Sequence, residues 1–164
     1  MRLVFVEAVS PSQWEDSYKG EMDRLVETEA AAIDKTSAEV YKILVDMVHA
    51  DSNEQRVALL IDMDDVQLKG FVSLTLVADS VAINFFCKNK KVVTVDYMPV
   101  MNVYIRKVAK EWGAKRIVCP LQGQLFKHCF KQNFLKNDPV SRKLKWLGLE
   151  PKYMIYEGVI GDDG

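Results

Sequence analysis

The sequence contains little glycine, proline and cysteine and no long apolar run, and each of these features is typical of a particular class of protein. Its 164 residues include 8 glycines and 5 prolines, too few for a collagen-like or low-complexity chain. No apolar run approaches the ~20 residues that a bilayer-spanning helix needs, and residues 1–20 turn acidic too early for a signal peptide, so we expect no membrane association. The cysteines, Cys87, Cys119 and Cys129, are odd in number and lack metal-ligand spacing. We therefore expect free thiols in a reducing, cytoplasmic compartment, and no metal site.

What the chain does contain is typical of one globular domain. Hydrophobic residues make up 49% of it and the net charge is −1, which excludes an intrinsically disordered chain. Without repeats or linkers, we expect one domain over residues 1–160 and a flexible tail over 161–164. Charge is uneven, because residues 1–50 are acidic whereas residues 101–164 carry 12 basic and 6 acidic side chains. The basic part could face a phosphorylated cofactor, a nucleic acid or an acidic partner, or the acidic half could neutralise it.

Hydrophobic periodicity predicts strands that alternate with helices. Strand-like runs cover residues 3–9, 56–63, 70–77, 81–87, 115–121 and 151–160, and helical patterns cover 13–34, 37–49, 101–112, 122–136 and 139–147. Thr36 and Glu39 fit a capping box, Gly20 is a candidate break in the first helix, and Gly113 and Gly148 stand where glycine ends a helix. With the segment 122–136 left aside as a candidate insertion, the order β-α-α-β-β-β-α-β-α-β predicts a mixed α/β domain that contains an antiparallel meander.

Three local patterns occur in a fixed order along this chain. Residues 68–74 read LKGFVSL, of the form hydrophobic-x-Gly-Phe-hydrophobic; residues 108–117 read VAKEWGAKRI; and residues 137–151 open with Asn and close on Gly-Leu-Glu-Pro. In these patterns and in its element order, most of residues 1–160 resembles the acyl-CoA N-acyltransferase (GNAT) superfamily. The resemblance implies a GNAT-like single α/β domain, with a mixed and mostly antiparallel sheet flanked by helices.

The resemblance also implies a cofactor loop, and there the sequence departs from the family pattern. The family binds the CoA pyrophosphate on a loop of the type Arg/Gln-x-x-Gly-x-Gly/Ala, and its spacing back from Gly113 places that loop on residues 92–97. These read VVTVDY: they lack glycine, their β-branched side chains crowd the amides, and Asp96 adds negative charge. By position, the residues that would contact an acyl-CoA are Lys88, Lys90, Lys91, Val93, Val95 and Tyr97.

The catalytic positions that the resemblance implies are depleted as well. The family's proton-donating tyrosine in the last helix corresponds to Leu144, and its strand-four glutamate has no counterpart in residues 81–87. Asn84 could orient an amine there but could not deprotonate it. Both roles can be filled elsewhere in a chain, so these losses weaken the enzyme interpretation without excluding it.

Three hypotheses of function follow. The leading one is a GNAT-like accessory or structural module without a cofactor that binds a protein partner, virion-associated if it is phage-encoded. The alternative is an active N-acyltransferase that uses acetyl-CoA or another acyl-CoA, with Lys88, Lys90 and Lys91 on the phosphates and Asn84 positioning the amine. The third is nucleic-acid binding through the basic C-terminal third. There, aromatic and basic side chains alternate as Phe126, Lys127, Phe130, Lys131, Phe134 and Lys136.

Other clusters leave alternatives open. The segment 122–136 also suits an amphipathic helix with a buried Phe face, or an insertion that binds a partner. Asp62, Asp64 and Asp65 could hold a hard cation, but they also fit a hairpin turn. Cys119, His128 and Cys129 could form a Cys–His nucleophile, or the thiols could simply be buried.

Overall fold

A computed structural model describes residues 1–120 and 146–149. The elements of this part are β1 (Leu3–Glu7), α1 (Ser12–Glu15), α2 (Lys19–Ala32), α3 (Ser37–His49), β2 (Gln55–Asp62), β3 (Gln67–Val77), β4 (Ser80–Lys88), α4 (Thr94–Glu111) and β5 (Arg116–Val118). The mixed α/β order is thereby confirmed through β5. The elements predicted at 122–136 and 151–160, and the tail at 161–164, lie outside the described residues.

The strands form one sheet in the order β1-β2-β3-β4-β5. The first four strands are antiparallel, which confirms the predicted meander. β5 runs parallel to β4, and α4 is the crossover connection that a parallel pair requires. The sheet is therefore mixed and mostly antiparallel.

A hydrophobic layer covers each face of the sheet, because alternate residues along a strand point to opposite sides. On one face, α2 and α3 bury apolar strand residues that include Leu59, Phe71 and Phe85. On the other face, α4 buries residues that include Leu60, Val72 and Ile83. The second half of β4 thus lies between α2 on one side and the start of α4 on the other.

The helix predicted over residues 13–34 is wrong as a single element. α1 ends at Glu15 and α2 begins at Lys19, whereas Gly20, the predicted break, lies inside α2. The fully buried Trp14 anchors α1, since its indole N–H donates to the Tyr41 hydroxyl on α3 at 3.3 Å. This tertiary contact fixes the position of α1.

The capping box at the start of α3 is confirmed. The Thr36 hydroxyl accepts the Glu39 N–H at 3.1 Å, and the Glu39 carboxylate accepts the Thr36 N–H at 3.2 Å. These hydrogen bonds lower the pKa of Glu39, because they favour its charged form.

α4 begins at Thr94 and not at residue 101. Residues 92–97 are therefore not an open loop, since most of them form the first turn of this helix. Tyr97, Met98 and Met101 are buried along α4, and this packing outweighs the strand preference of the valines that precede them.

The predicted helix ends at glycine are also present. Gly113 ends α4 with φ 66°, and the Ala114 N–H donates to the Ala109 carbonyl at 2.8 Å, as in a Schellman motif. Trp146 is helical and Gly148 has φ 73°, as expected for the end of the helix predicted over 139–147. No helix in the described ranges, 1–120 and 146–149, is both long and apolar enough to cross a membrane.

Candidate functional site

The second half of β4 has an open edge within the described residues. β5 pairs only with residues 80–82, while β4 stays paired with β3 as far as Lys88. A bulge at Asn84 marks the change, because Ser73 of β3 faces Phe85 and the next residue, Leu74, faces Ile83. A β-bulge bends its strand and re-aims the side chains beside it. Past Asn84, the described part of the sheet leaves one edge of β4 accessible.

The bulge sets the direction of the Asn84 side chain. The buried Ser73 hydroxyl accepts the Phe85 N–H at 3.1 Å, and the Asn84 side-chain amide donates to the Thr75 hydroxyl. Thr75 shares a face of β3 with Phe71, which packs in the layer under α2 and α3. Asn84 and Phe85 therefore both lie on the α2 side of β4.

A tight turn around Asn89 joins β4 to α4. Its side-chain oxygen accepts the Lys91 N–H at 2.9 Å, and its carbonyl accepts the Val92 N–H at 3.0 Å. These two amides are thus used within the turn. The side chains of Lys90 and Lys91 are exposed, so the turn offers ammonium groups to an anion.

The start of α4 has no side-chain cap. Val93 is the N-cap residue, and no side-chain hydrogen bond closes the first turn. The Asp96 N–H donates back to the Val93 carbonyl at 3.1 Å, which leaves the N–H groups of Thr94 and Val95 without an intrahelical acceptor. The side chains of Val93 and Val95 are 53% and 65% exposed. The start of α4 therefore offers the N–H groups of Thr94 and Val95 and the partial positive charge of the helix dipole to an anion. Asp96 is the one acidic side chain in this first turn.

Tyr97 links this helix start to β4. Its ring is fully buried at 5.2 Å from the Phe86 ring, and the Lys88 ammonium lies 5.4 Å from its centroid. Its hydroxyl has no hydrogen-bond partner among the described residues. Burial raises the pKa of Tyr97, and the neighbouring Thr94 side chain offsets part of the rise. Tyr97 therefore contributes to this region as a buried ring under Lys88, and its hydroxyl is not open to a ligand.

The predicted site residues thus fall into two sets. Lys88 and Tyr97 are in contact on the α4 side of β4, with Lys90, Lys91, Val93 and Val95 in the adjoining turn and helix start. Asn84 lies apart from them, on the α2 side. The counterpart of the missing tyrosine, Leu144, and the segment 122–136 lie outside the described residues.

Sequence reasoning missed Glu29. This residue of α2 is 5% exposed, and burial raises its pKa from 4.5 to about 7. A signal was present, because Glu29 stands four residues after Leu25 and three after Val26, so it interrupts the apolar face of a predicted helix.

The aspartates between β2 and β3 make the contacts of a hairpin turn. Asp62 accepts the N–H groups of Arg2 and Asp64 at 3.1 and 3.0 Å, and these bonds contribute to lowering its pKa. Asp65 accepts the Gln67 N–H at 3.1 Å. Within residues 1–120 and 146–149, no three His, Cys, Asp or Glu side chains gather as a metal site would require.

Comparison with known proteins gives structural matches only. No protein-family model and no curated protein sequence matches the chain. AAC(6')-Iy, solved in complex with the bisubstrate analog CoA-S-monomethyl-acetylneamine, matches with a TM-score of 0.68 at 9% identity, over 98% of this chain and 100% of the other. A GNAT family acetyltransferase from Staphylococcus aureus matches with a TM-score of 0.62 at 11% identity, and glucosamine-6-phosphate N-acetyltransferase from Arabidopsis thaliana with 0.54 at 8%, each over the same shares of the two chains. The chain therefore has the fold of the GNAT acetyltransferases.

Proposed function

We propose that this protein is an acyl-CoA-dependent N-acyltransferase that holds the cofactor phosphates without a glycine loop. The observation that carries the proposal is the edge of β4 past the Asn84 bulge, which is open in the described part of the sheet and lies beside the uncapped start of α4. Proteins of the same fold support it, since one was solved with a CoA-containing analog and another is an N-acetyltransferase.

The residues at the start of α4 fit an anionic cofactor by their charge. Lys88, Lys90 and Lys91 contribute three positive charges and Asp96 one negative charge, a local sum of +2. The helix start adds roughly half a positive charge. The lysine ammonium groups and the amides of the first turn would hold the phosphates, and the buried Tyr97 ring would support Lys88 from below.

The reaction would join an amine to the acyl group. The amine nitrogen attacks the thioester carbonyl, the C–N bond forms as the C–S bond breaks, and CoA leaves as a thiolate. The side-chain nitrogen of Asn84 donates a hydrogen bond to the Thr75 hydroxyl. The side-chain oxygen of Asn84 is therefore the atom that can accept a hydrogen bond from the amine. This is consistent with the positioning role predicted for Asn84.

The test incubates the protein with acetyl-CoA and a panel of primary amines. A thiol reagent detects the CoA that is released. We expect amine-dependent release, and a higher KM for acetyl-CoA when Lys88, Lys90 and Lys91 are changed together to Ala. Lys42→Ala on the exposed face of α3 is the control and should leave KM unchanged. Absence of release, together with no calorimetric binding of acetyl-CoA at millimolar concentration, would overturn the proposal.

A protein-binding module without transfer activity is the second candidate. The apolar side chains of Val93 and Val95, both exposed at the start of α4, favour it, because exposed apolar groups that lie together can form a protein contact surface. This candidate predicts no binding of acetyl-CoA, so the same calorimetry separates the two. Virion association and nucleic-acid binding stay predictions, and steep salt dependence on a polyanion column would test the latter.

A further inference from the structure

A surface cavity of about 330 Å³ lies where α1, α2 and α3 meet. It is lined by Trp14 and Glu15 of α1, Lys19 and Asp23 of α2, and Tyr41 of α3. Asp23 projects from the opposite side of α2 to Leu25, whose side chain packs toward the sheet. The cavity is therefore separate from the open edge of β4, and the proposed acyl transfer makes no use of it. Its volume is at the lower end of the roughly 300–1,000 Å³ of small-molecule sites, which suits a ligand of amino-acid size.

A chain of hydrogen bonds fixes one wall of this cavity. The indole N–H of the buried Trp14 donates to the Tyr41 hydroxyl at 3.3 Å, and that hydroxyl donates to one oxygen of the Glu15 carboxylate. The rings of Trp14 and Tyr41 meet edge to face, with 6.3 Å between their centroids. The second Glu15 oxygen receives no hydrogen bond from the described residues, and it is held beside the half-buried Tyr41 ring.

The charges that line the cavity are not paired with one another. Glu15, Asp23 and Lys19 contribute two negative charges and one positive charge, a sum of −1. Among the described residues none of the three has an ion-pair partner. Lys19 and Asp23 stand four residues apart on α2, and at the same spacing on α3 Lys42 and Asp46 do pair, at 3.1 Å. The cavity therefore offers two carboxylates and one ammonium to a ligand.

Both carboxylates lie within electrostatic reach of Tyr41. Burial raises the pKa of the Tyr41 hydroxyl, its hydrogen bond to Glu15 raises it further, and the charges of Glu15 and Asp23 add to the rise. A cation that entered the cavity would be attracted by both carboxylates and by the face of the Tyr41 ring.

We propose that this cavity binds a basic amino acid whose side chain ends in an ammonium, such as lysine or ornithine. Lys19 and Asp23 are neighbours on α2, so they fit the adjacent α-carboxylate and α-ammonium of the ligand. Glu15, on α1, accepts the side-chain ammonium, which rests against the Tyr41 ring. A guanidinium fits less well, because its paired hydrogen bonds need both carboxylate oxygens and the Tyr41 hydroxyl already occupies one of them. The ligand's net charge of one positive unit balances the charge of the cavity.

Titration with small molecules tests the cavity without acyl-CoA. The indole N–H signals of the ¹⁵N-labelled protein are followed by NMR, and the Trp14 signal is assigned from its shift in Tyr41→Phe. L-Lysine should shift the Trp14 signal saturably, whereas the Trp112 signal, whose indole donates to the Ser52 carbonyl, should stay in place. Cadaverine lacks the α-carboxylate, norleucine lacks the side-chain ammonium and L-arginine carries a guanidinium, so each should bind at least about tenfold more weakly. A Trp14 signal that millimolar L-lysine does not move, or equal binding of L-lysine and any of these three compounds, overturns the inference.

Variants of the lining residues give the second readout. Glu15→Gln, Lys19→Met and Asp23→Asn change exposed side chains, so the fold should persist, and each should weaken L-lysine binding about tenfold. Glu27→Gln is the matched control, since Glu27 is an exposed residue of α2 outside the cavity, and it should bind as wild type. Lining variants that bind L-lysine as tightly as wild type, while circular dichroism shows them folded, also overturn the inference. This site is independent of the proposed acyl transfer: if the protein acetylates no amine, that function fails, and the titration still decides whether the cavity binds L-lysine.

Discussion

A single methyl group at Gly70 tests how closely β3 and β4 approach beside the candidate site. Gly70 pairs with Lys88, and a Cβ at Gly70 would lie 2.5 Å from the Cys87 carbonyl oxygen and 3.1 Å from the Lys88 Cα. Both are backbone atoms, which cannot rotate away as a side chain can. The end of β4 must therefore move for Gly70→Ala to fold.

We expect Gly70→Ala to lower the free energy of unfolding by about 1–3 kcal/mol, the usual cost of overpacking an interior. Replacing Gly by Ala also restricts the unfolded chain, which by itself stabilises by about 0.4–1 kcal/mol, so the clash must exceed that gain. Gly20→Ala is the matched control. Its Cβ would meet the Arg24 guanidinium at 3.7 Å, an ordinary contact, and inside α2 the change should stabilise by about 0.5–1 kcal/mol.

Urea unfolding followed by tryptophan fluorescence and circular dichroism measures both variants. The midpoints should move in opposite directions with the slope unchanged. A Gly70→Ala protein as stable as wild type would refute the spacing of β3 and β4. A destabilised Gly20→Ala protein would refute the placement of Gly20 inside α2.

Three further substitutions test separate parts of the structure. Thr36→Ala removes the capping box of α3 and should cost about 1 kcal/mol in thermal unfolding, which Thr36→Ser should largely restore; equal stability of the two would contradict the cap. Arg56→Met removes the guanidinium that pairs with Glu7 and Glu111, both 41% exposed, and leaves Glu111 only the Lys107 ammonium at 3.9 Å; we expect a loss of roughly 1–2 kcal/mol in urea, less than for a fully buried pair; a neutral result would show that the pairs contribute nothing. Because the pKa of Glu29 is about 7 when folded and 4.5 ordinarily, the folded state binds more protons between these values and stability falls as pH rises through them. Glu29→Gln should therefore be more stable than wild type at pH 8, by up to ~3 kcal/mol, and alike at pH 4; an equal difference at both pH values would contradict the raised pKa.

Local patterns predicted much of this fold. The strands of the meander, the Thr36 cap and the glycine end of α4 all depend on residues close together in sequence, and each is present. The predicted start of α4, residue 101, was wrong because Val93 and Val95 favour strands locally, while burial of Tyr97 against β4 favours the helix.

The candidate site was predicted less completely than the fold. The family resemblance named Lys88 and Tyr97 as cofactor-binding residues by position, and the structure puts them in contact with each other. Their role in binding a cofactor stays a prediction. The Asn84 bulge was not predictable, since it depends on the pairing of β4 with β3. Glu29 was missed because one acidic residue on an apolar helix face looks like a boundary position until the helix has a partner.

Amide NMR of the ¹⁵N-labelled protein during titration with CoA tests the proposed cofactor site most directly. The account predicts saturable shifts of the Thr94 and Val95 amides, which have no intrahelical acceptor, with little change at Asn53, in the turn before β2. Signals of Thr94 and Val95 that stay in place at millimolar CoA, in a folded protein, would contradict it.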